Sequence, residues 1–158
     1  VDETVVSGRK RLQLIGKPLP LSGLLLDGQP LDVAALQGKI VLIDFWATWC
    51  DPCLAEIPNI KACYEKYHDK GFEVIGYNLD KDRADVDRFF ANQKLPWPTV
   101  VSDAKGKDGF TSPLAEFCGV KSIPFLVLLD GEGKVIALHT RGERLEKKLA
   151  ELFEAPAK

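Results

Sequence analysis

Two cysteines separated by two residues, Cys50 and Cys53, stand where an apolar run from Ile40 to Phe45 gives way to a helical pattern beginning near Asp51. That junction constrains the fold more than any other stretch. A strand must end and a helix must begin within a few residues, with the dithiol at the turn. A cysteine at a helix start sits among unpaired backbone N–H groups and the positive end of the helix dipole, both of which favour a thiolate. Pro52 suits the first helical turn, where its missing N–H costs nothing. Cys53, one turn along, is placed to resolve a bond made at Cys50. The pair therefore reads as a redox site able to close into a small disulfide ring. A zinc half-site would need two further ligands at suitable spacing. Cys63 and Cys118 are isolated and the only histidines are His68 and His139, so no metal is expected. A purely structural bridge is a weak alternative, because so short a ring removes little entropy from the unfolded chain.

The rest of the composition narrows the class. A length of 158 residues fits a single α/β domain, with 12–158 forming it and 1–11 serving as a flexible lead or linker tail. The 21 basic and 23 acidic side chains nearly cancel, which argues against nucleic acid or an anionic membrane surface as partner. No apolar run approaches the length of a membrane span. The chain starts at Val1 rather than Met, so a trimmed or mature form is expected, leaving room for an anchor upstream.

Taken in order, Leu12 to Leu31 reads as a short β-hairpin turning at Asp27-Gly28, and Asp32 caps a brief helical turn ended by Gly38. Ile40 to Trp46 is a strand apolar on both faces, hence central, with Asp44 buried or nearly so. A helix from Pro52 to Lys70 follows, stopped by Gly71. Phe72 to Leu79 is the next strand, and the Asp80-Lys81-Asp82 cluster caps a helix to about Lys94 with Val86, Phe89 and Phe90 inward. Pro98 to Ser102 is a strand, Asp103 to Thr111 a Gly/Lys/Asp-rich loop, and Ser112-Pro113 opens a short helix ending near Cys118-Gly119. Phe125 to Leu129 and Lys134 to His139 form a hairpin around Asp130-Gly131-Glu132-Gly133. The last helix, Glu143 to Glu154, turns Leu145, Leu149, Leu152 and Phe153 inward. Alternating β and α elements call for a mixed sheet with a parallel core and helices on both faces.

With these residues in place, Asp44-Phe45-Trp46-Ala47-Thr48-Trp49-Cys50-x-Pro-Cys53 and the distant Ser122-Ile123-Pro124-Phe125 resemble the thioredoxin fold. Gly16-Lys17-Pro18-Leu19-Pro20, Leu36-Gln37-Gly38-Lys39 and Glu56-Ile57-Pro58 narrow the resemblance to the TlpA/ResA-like thiol–disulfide oxidoreductases, over roughly Leu14 to Phe153. The resemblance implies a thioredoxin-like α/β fold with an N-terminal β-hairpin, Cys50 as the exposed nucleophile and Cys53 as the resolving thiol. It further implies a cis peptide before Pro124, packed against the disulfide, with Ile123 offering backbone groups to an extended substrate segment. Glu56 matches the acidic residue of a ResA-like Glu-x-Pro motif. Asp44 matches the buried aspartate of thioredoxins, where ResA-like members more often carry asparagine. The inner pair Asp51-Pro52 departs from both Gly-Pro and Glu-Pro.

Disulfide exchange needs a thiolate, an in-line path and a proton acceptor. Asp44 and Glu56 are two candidate acceptors for the Cys53 proton, directly or through one water. The plainer readings are a buried polar residue satisfied by backbone donors for Asp44, and a solvated charge or a cap for Glu56. A negative Asp51 beside Cys50 opposes the helix dipole and disfavours the thiolate, pointing to a reductant or weak oxidant. Trp49 offers substrate a flat contact alongside Asp51, Pro52, Ile123 and Pro124, whereas Trp46 belongs to the core. Cys63 and Cys118 read as small buried apolar residues. The expected partners are a protein disulfide and an upstream thiol donor, with the chain a monomer, no cofactor, and an extracytoplasmic setting such as cytochrome c maturation. A peroxidase on the same fold would need the Pro-x-x-x-Thr-x-x-Cys motif, which this sequence lacks. A metal-delivery module would need a suitably placed histidine.

Overall fold

The computed structural model describes residues 12–102 and 109–154. The expected lead over 1–11 and residues 103–108 of the loop expected from Asp103 to Thr111 lie outside the described residues. Six strands form one sheet: β1 (Leu24–Leu25), β2 (Ile40–Trp46), β3 (Phe72–Asn78), β4 (Thr99–Ser102), β5 (Phe125–Leu129) and β6 (Val135–Leu138). The helices are α1 (Asp51–Tyr67), α2 (Arg83–Asn92), α3 (Pro113–Cys118) and α4 (Glu143–Phe153). The sheet order is β1-β4-β3-β2-β5-β6. β2, β3 and β4 run parallel, while β5, β6 and β1 pair antiparallel with their neighbours.

β2 is central because both its faces are apolar, and alternation sorts them. Val41, Ile43 and Phe45 enter a core with Leu114, Ala115 and Cys118 of α3 and with Leu14 and Leu19 of the N-terminal segment. Leu42 enters the opposite core with Ile57, Ile60 and Cys63 of α1 and Leu145 and Leu149 of α4. Asp44 and Trp46 share the Leu42 face. The carboxylate at position 44 is thus directed to the side of the sheet on which the dithiol helix packs.

The N-terminal segment closes both sheet edges, which would otherwise present unpaired backbone groups. Its turn forms where the Asp27-Gly28 signal places it: Gly28 has φ +84°, and Gly28 N donates to Leu25 O at 2.9 Å. The pairing around that turn is slight, a single bridge between Leu24 and Pro30, because β1 gives its other edge to β4. Upstream, Gly16 N donates to Val135 O at 2.8 Å and Val135 N to Lys17 O at 2.9 Å, covering the edge at β6.

Two helix ends and one side chain differ from the sequence expectation. The helix expected to reach Lys70 tightens into a 3-10 turn over His68–Lys70 before Gly71 at φ +105°. α2 stops at Asn92, two residues short of Lys94. Leu152, expected inward, is 39 % exposed, because Phe153 takes the inward position and stacks on Tyr67 at 5.1 Å.

Candidate active site

β2 ends at Trp46, and four residues later Cys50 is the N-cap of α1. Its backbone is extended at φ −95° and ψ 99°, and its sulfur accepts from the Cys53 N–H at 3.2 Å. A donor that a helix start leaves without a backbone partner is therefore directed at Sγ. Cys50 and Cys53 form a disulfide, with Cα atoms 5.2 Å apart. The peptide between Ile123 and Pro124 is cis. Ile123 O lies 3.8 Å from Cys50 Sγ, a contact here, since a disulfide sulfur carries no proton to donate.

One expectation is corrected. Cys50 is not exposed in this oxidised form: it is 4 % exposed and Cys53 is 1 % exposed. The physical reason is a small apolar cluster in which Trp46, Ala47 and both cysteines are packed by Leu54, Phe89, Phe90, Leu95 and Ile123. Trp49, by contrast, stands 61 % exposed beside them, and Asp51 and Pro52 are exposed as well. Trp46 is fully enclosed, with Phe89 at 5.0 Å.

The loop that carries Cys50 is held by a residue the sequence reading assigned elsewhere. Asp80, read as part of a helix cap, is 4 % exposed and accepts from Thr48 N at 2.8 Å, Thr48 Oγ1 at 2.6 Å and Asn78 Nδ2 at 2.7 Å. Asp82 alone caps α2, accepting from Ala84 N at 3.0 Å. The only sequence hint was a carboxylate just beyond a strand expected beside β2. Nothing local ties Asp80 to a loop 32 residues away.

The two candidate acceptors have different surroundings. Asp44 is 3 % exposed, and its carboxylate accepts no hydrogen bond from the described residues. Burial, and secondarily the charge of Glu56, push its carboxyl from an ordinary 3.8 up to about 7. A carboxyl titrating there can both take and give a proton near neutrality. Glu56 is engaged: its Oε1 accepts from Gly142 N at 2.6 Å and from Asn59 Nδ2 at 2.9 Å. Asn59 also donates to Gly142 O at 3.2 Å. Gly142 is the N-cap of α4, so Glu56 fastens the dithiol helix to the last helix.

A groove of about 740 Å³ opens beside the disulfide, lined by Pro52, Ile123, Pro124, His139, Arg141 and Arg144 among others. Cys63 and Cys118 are free and buried, and burial raises their thiols to about 11 and about 12. Among the described residues, no three His, Cys, Asp or Glu side chains converge as a metal site. No described helix is long and apolar enough to cross a membrane.

Comparison with known proteins agrees with this geometry. The sequence model of the Redoxin family matches residues 14–153. The thiol-disulfide oxidoreductase ResA of Bacillus cereus is 32 % identical over 129 residues, covering 82 % of this chain and 70 % of that one. The ResA of Halalkalibacterium halodurans is 29 % identical over 134 residues, covering 84 % and 72 %. Among solved structures, the thioredoxin domain of a thiol-disulfide oxidoreductase from Bacteroides vulgatus superposes with a TM-score of 0.77 at 27 % identity, covering 88 % of this chain and 97 % of that one. A thiol:disulfide interchange protein from a Bacteroides species gives 0.78 at 26 % identity, covering 91 % and 93 %.

Proposed function

The chain belongs to the Redoxin family and, within it, to the ResA-like thiol–disulfide oxidoreductases of thioredoxin fold, and on that footing we propose that it reduces disulfides of protein substrates outside the cytoplasm. The observation that carries the reading is the Cys50–Cys53 disulfide at the start of α1, against the cis Ile123–Pro124 peptide.

In the reduced protein, the Cys50 thiolate attacks one sulfur of a substrate disulfide. A Cys50–substrate bond forms, the substrate S–S bond breaks, and the released thiolate takes a proton from solvent. Cys53 then passes its proton to Asp44 and attacks Cys50. The Cys50–Cys53 bond forms, the mixed disulfide breaks, and the second substrate thiolate leaves and is protonated. Two electrons have moved to the substrate, and a thiol donor restores the dithiol by the reverse exchange. On reduction, the Cys50 thiol gains a proton it can share with Ile123 O, and the Cys53 N–H already directed at Sγ stabilises the thiolate.

Asp44 is the acceptor in this scheme because it is buried on the α1 face and titrates near 7. Glu56 acts through position, holding the Asp44 titration up by its charge and α4 in place by its hydrogen bonds. The exposed Trp49, with Asp51, Pro52, Ile123 and Pro124, forms the substrate contact. The Asp51 charge disfavours the thiolate and so makes the protein a reductant or weak oxidant. An extracytoplasmic setting, with maturing cytochromes c among the clients, fits a reductase that acts where disulfides persist.

The test is reduction of insulin by the protein under a thiol donor. Cys50→Ser abolishes it, and Cys53→Ser accumulates a mixed disulfide with substrate. Full turnover by Cys50→Ser would overturn the reading. A potential against glutathione as high as that of a strong oxidase would overturn its direction.

A further inference from the structure

The groove beside the disulfide carries a charge pattern that the exchange chemistry does not use. Four arginines lie among the described residues. Two of them are paired: Arg83 with Asp87 at 2.9 Å and Arg88 with Asp85 at 2.9 Å. The other two, Arg141 and Arg144, both line the groove, are exposed, and form no ion pair among the described residues. They follow β6 and open α4, so the chain presents them together at one end of the cleft. His139 lines the same groove, at φ +55° and with its ring edge-on to Phe125 at 5.2 Å. Among the described residues, Glu143 is the one acidic residue lining the groove. In a chain with a formal charge of −2, a cleft with two free guanidinium groups is a local reversal of sign.

The groove borders the redox turn, because Pro52, between the two cysteines, and Pro124, next to the Ile123 carbonyl that touches Cys50 Sγ, form part of its wall. A polypeptide whose cysteine is engaged at Cys50 would have its neighbouring residues laid along that wall toward Arg141 and Arg144. Guanidinium groups present a planar fork matched to a carboxylate, and free rim charges act on encounter and register. We propose that Arg141 and Arg144 form a specificity subsite that selects disulfide substrates carrying an acidic side chain a few residues from the target cysteine. The assignment deepens the reductase reading and rests on it.

The experiment uses the reduced full chain and a set of short disulfide-bonded peptides that place Glu, Gln or Lys at successive positions flanking the cysteine. At the preferred position the wild type reduces the Glu peptide about tenfold faster in kcat/KM than the Gln peptide, with Lys slowest, and added salt compresses the order. In R141E/R144E the order inverts, with Lys ahead of Glu. A flat scan in the wild type overturns the proposal, as does an order that the double substitution leaves unchanged. The wild-type scan and its salt series stand even if the double variant fails to fold. Bis(2-hydroxyethyl) disulfide, uncharged and too small to reach the subsite, separates the two levels. No reaction with it sinks the reductase reading, whereas normal reaction with a flat peptide scan sinks the subsite alone.

Discussion

Asp44 and Asp80 are buried to nearly the same degree, 3 % and 4 % exposed, yet their surroundings are opposite. Asp80 receives three hydrogen bonds and, through Thr48, anchors the loop that delivers Cys50. The Asp44 carboxylate receives none from the described residues, and burial pushes it to about 7. A buried charge is tolerated when donors replace its lost water and is otherwise neutralised. Depth alone therefore says little about a carboxylate's role. What converges on it decides whether it is an anchor that needs its charge or a proton site that prefers to be neutral.

The contrast can be broken most sharply by the pH dependence of stability. Because the folded protein holds the Asp44 proton more tightly than the unfolded chain does, its stabilising effect is complete below about 4 and is lost as pH rises through about 7. The span of that loss is about 4 kcal/mol at 1.36 kcal/mol per unit. Asp44→Asn removes this fall, so urea unfolding of the oxidised protein gives a variant more stable than the wild type at pH 8, with the gap closing toward pH 4. Parallel pH profiles for the two proteins would refute the buried acid.

Asp80→Ala moves stability the other way. It strips partners from Thr48 N, Thr48 Oγ1 and Asn78 Nδ2, at a cost of about 3 kcal/mol at neutral pH by the same urea measurement. A loss below about 1 kcal/mol would show the clamp to be slack. Thr48→Val takes away only the hydroxyl bond and costs about 1 kcal/mol, leaving the backbone bond at 2.8 Å in place.

The smallest effect is the most diagnostic of coupling. Glu56→Gln lowers the Asp44 titration midpoint, followed by carboxyl carbon NMR, but leaves most of the elevation, since burial is the larger cause and the Glu56 charge the lesser. A midpoint unmoved by the substitution would mean that the two carboxylates do not sense each other.

The dithiol, the central strand and the cis-proline were legible in the sequence because each is a local pattern: a spacing, an unbroken apolar run, a family motif. The alternation that buries Leu42, Asp44 and Trp46 on one face of β2 follows from the strand period alone. What escaped was tertiary. Asp80 looks like a helix cap until Thr48 is brought to it across 32 residues of chain. Glu56 looks like a helix-face charge until Gly142, 86 residues on, presents its N–H. Arg141 and Arg144 sit past the end of a hairpin with no periodicity to mark them, and only the folded cleft sets them beside Pro52 and Pro124. Residue type carries little information when a side chain's partner is far along the chain. Leu152 failed for a simpler reason, since two adjacent apolar residues cannot both sit at the centre of one helical stripe.

Cys63 and Cys118 belong to the two cores on opposite faces of the sheet, with thiols held at about 11 and about 12. At any ordinary pH they stay protonated, the form that does not attack a disulfide. The molecule thus carries its two electrons on one pair of sulfurs: a thiol count on the unfolded chain rises from two to four on reduction, and the two that do not change are Cys63 and Cys118.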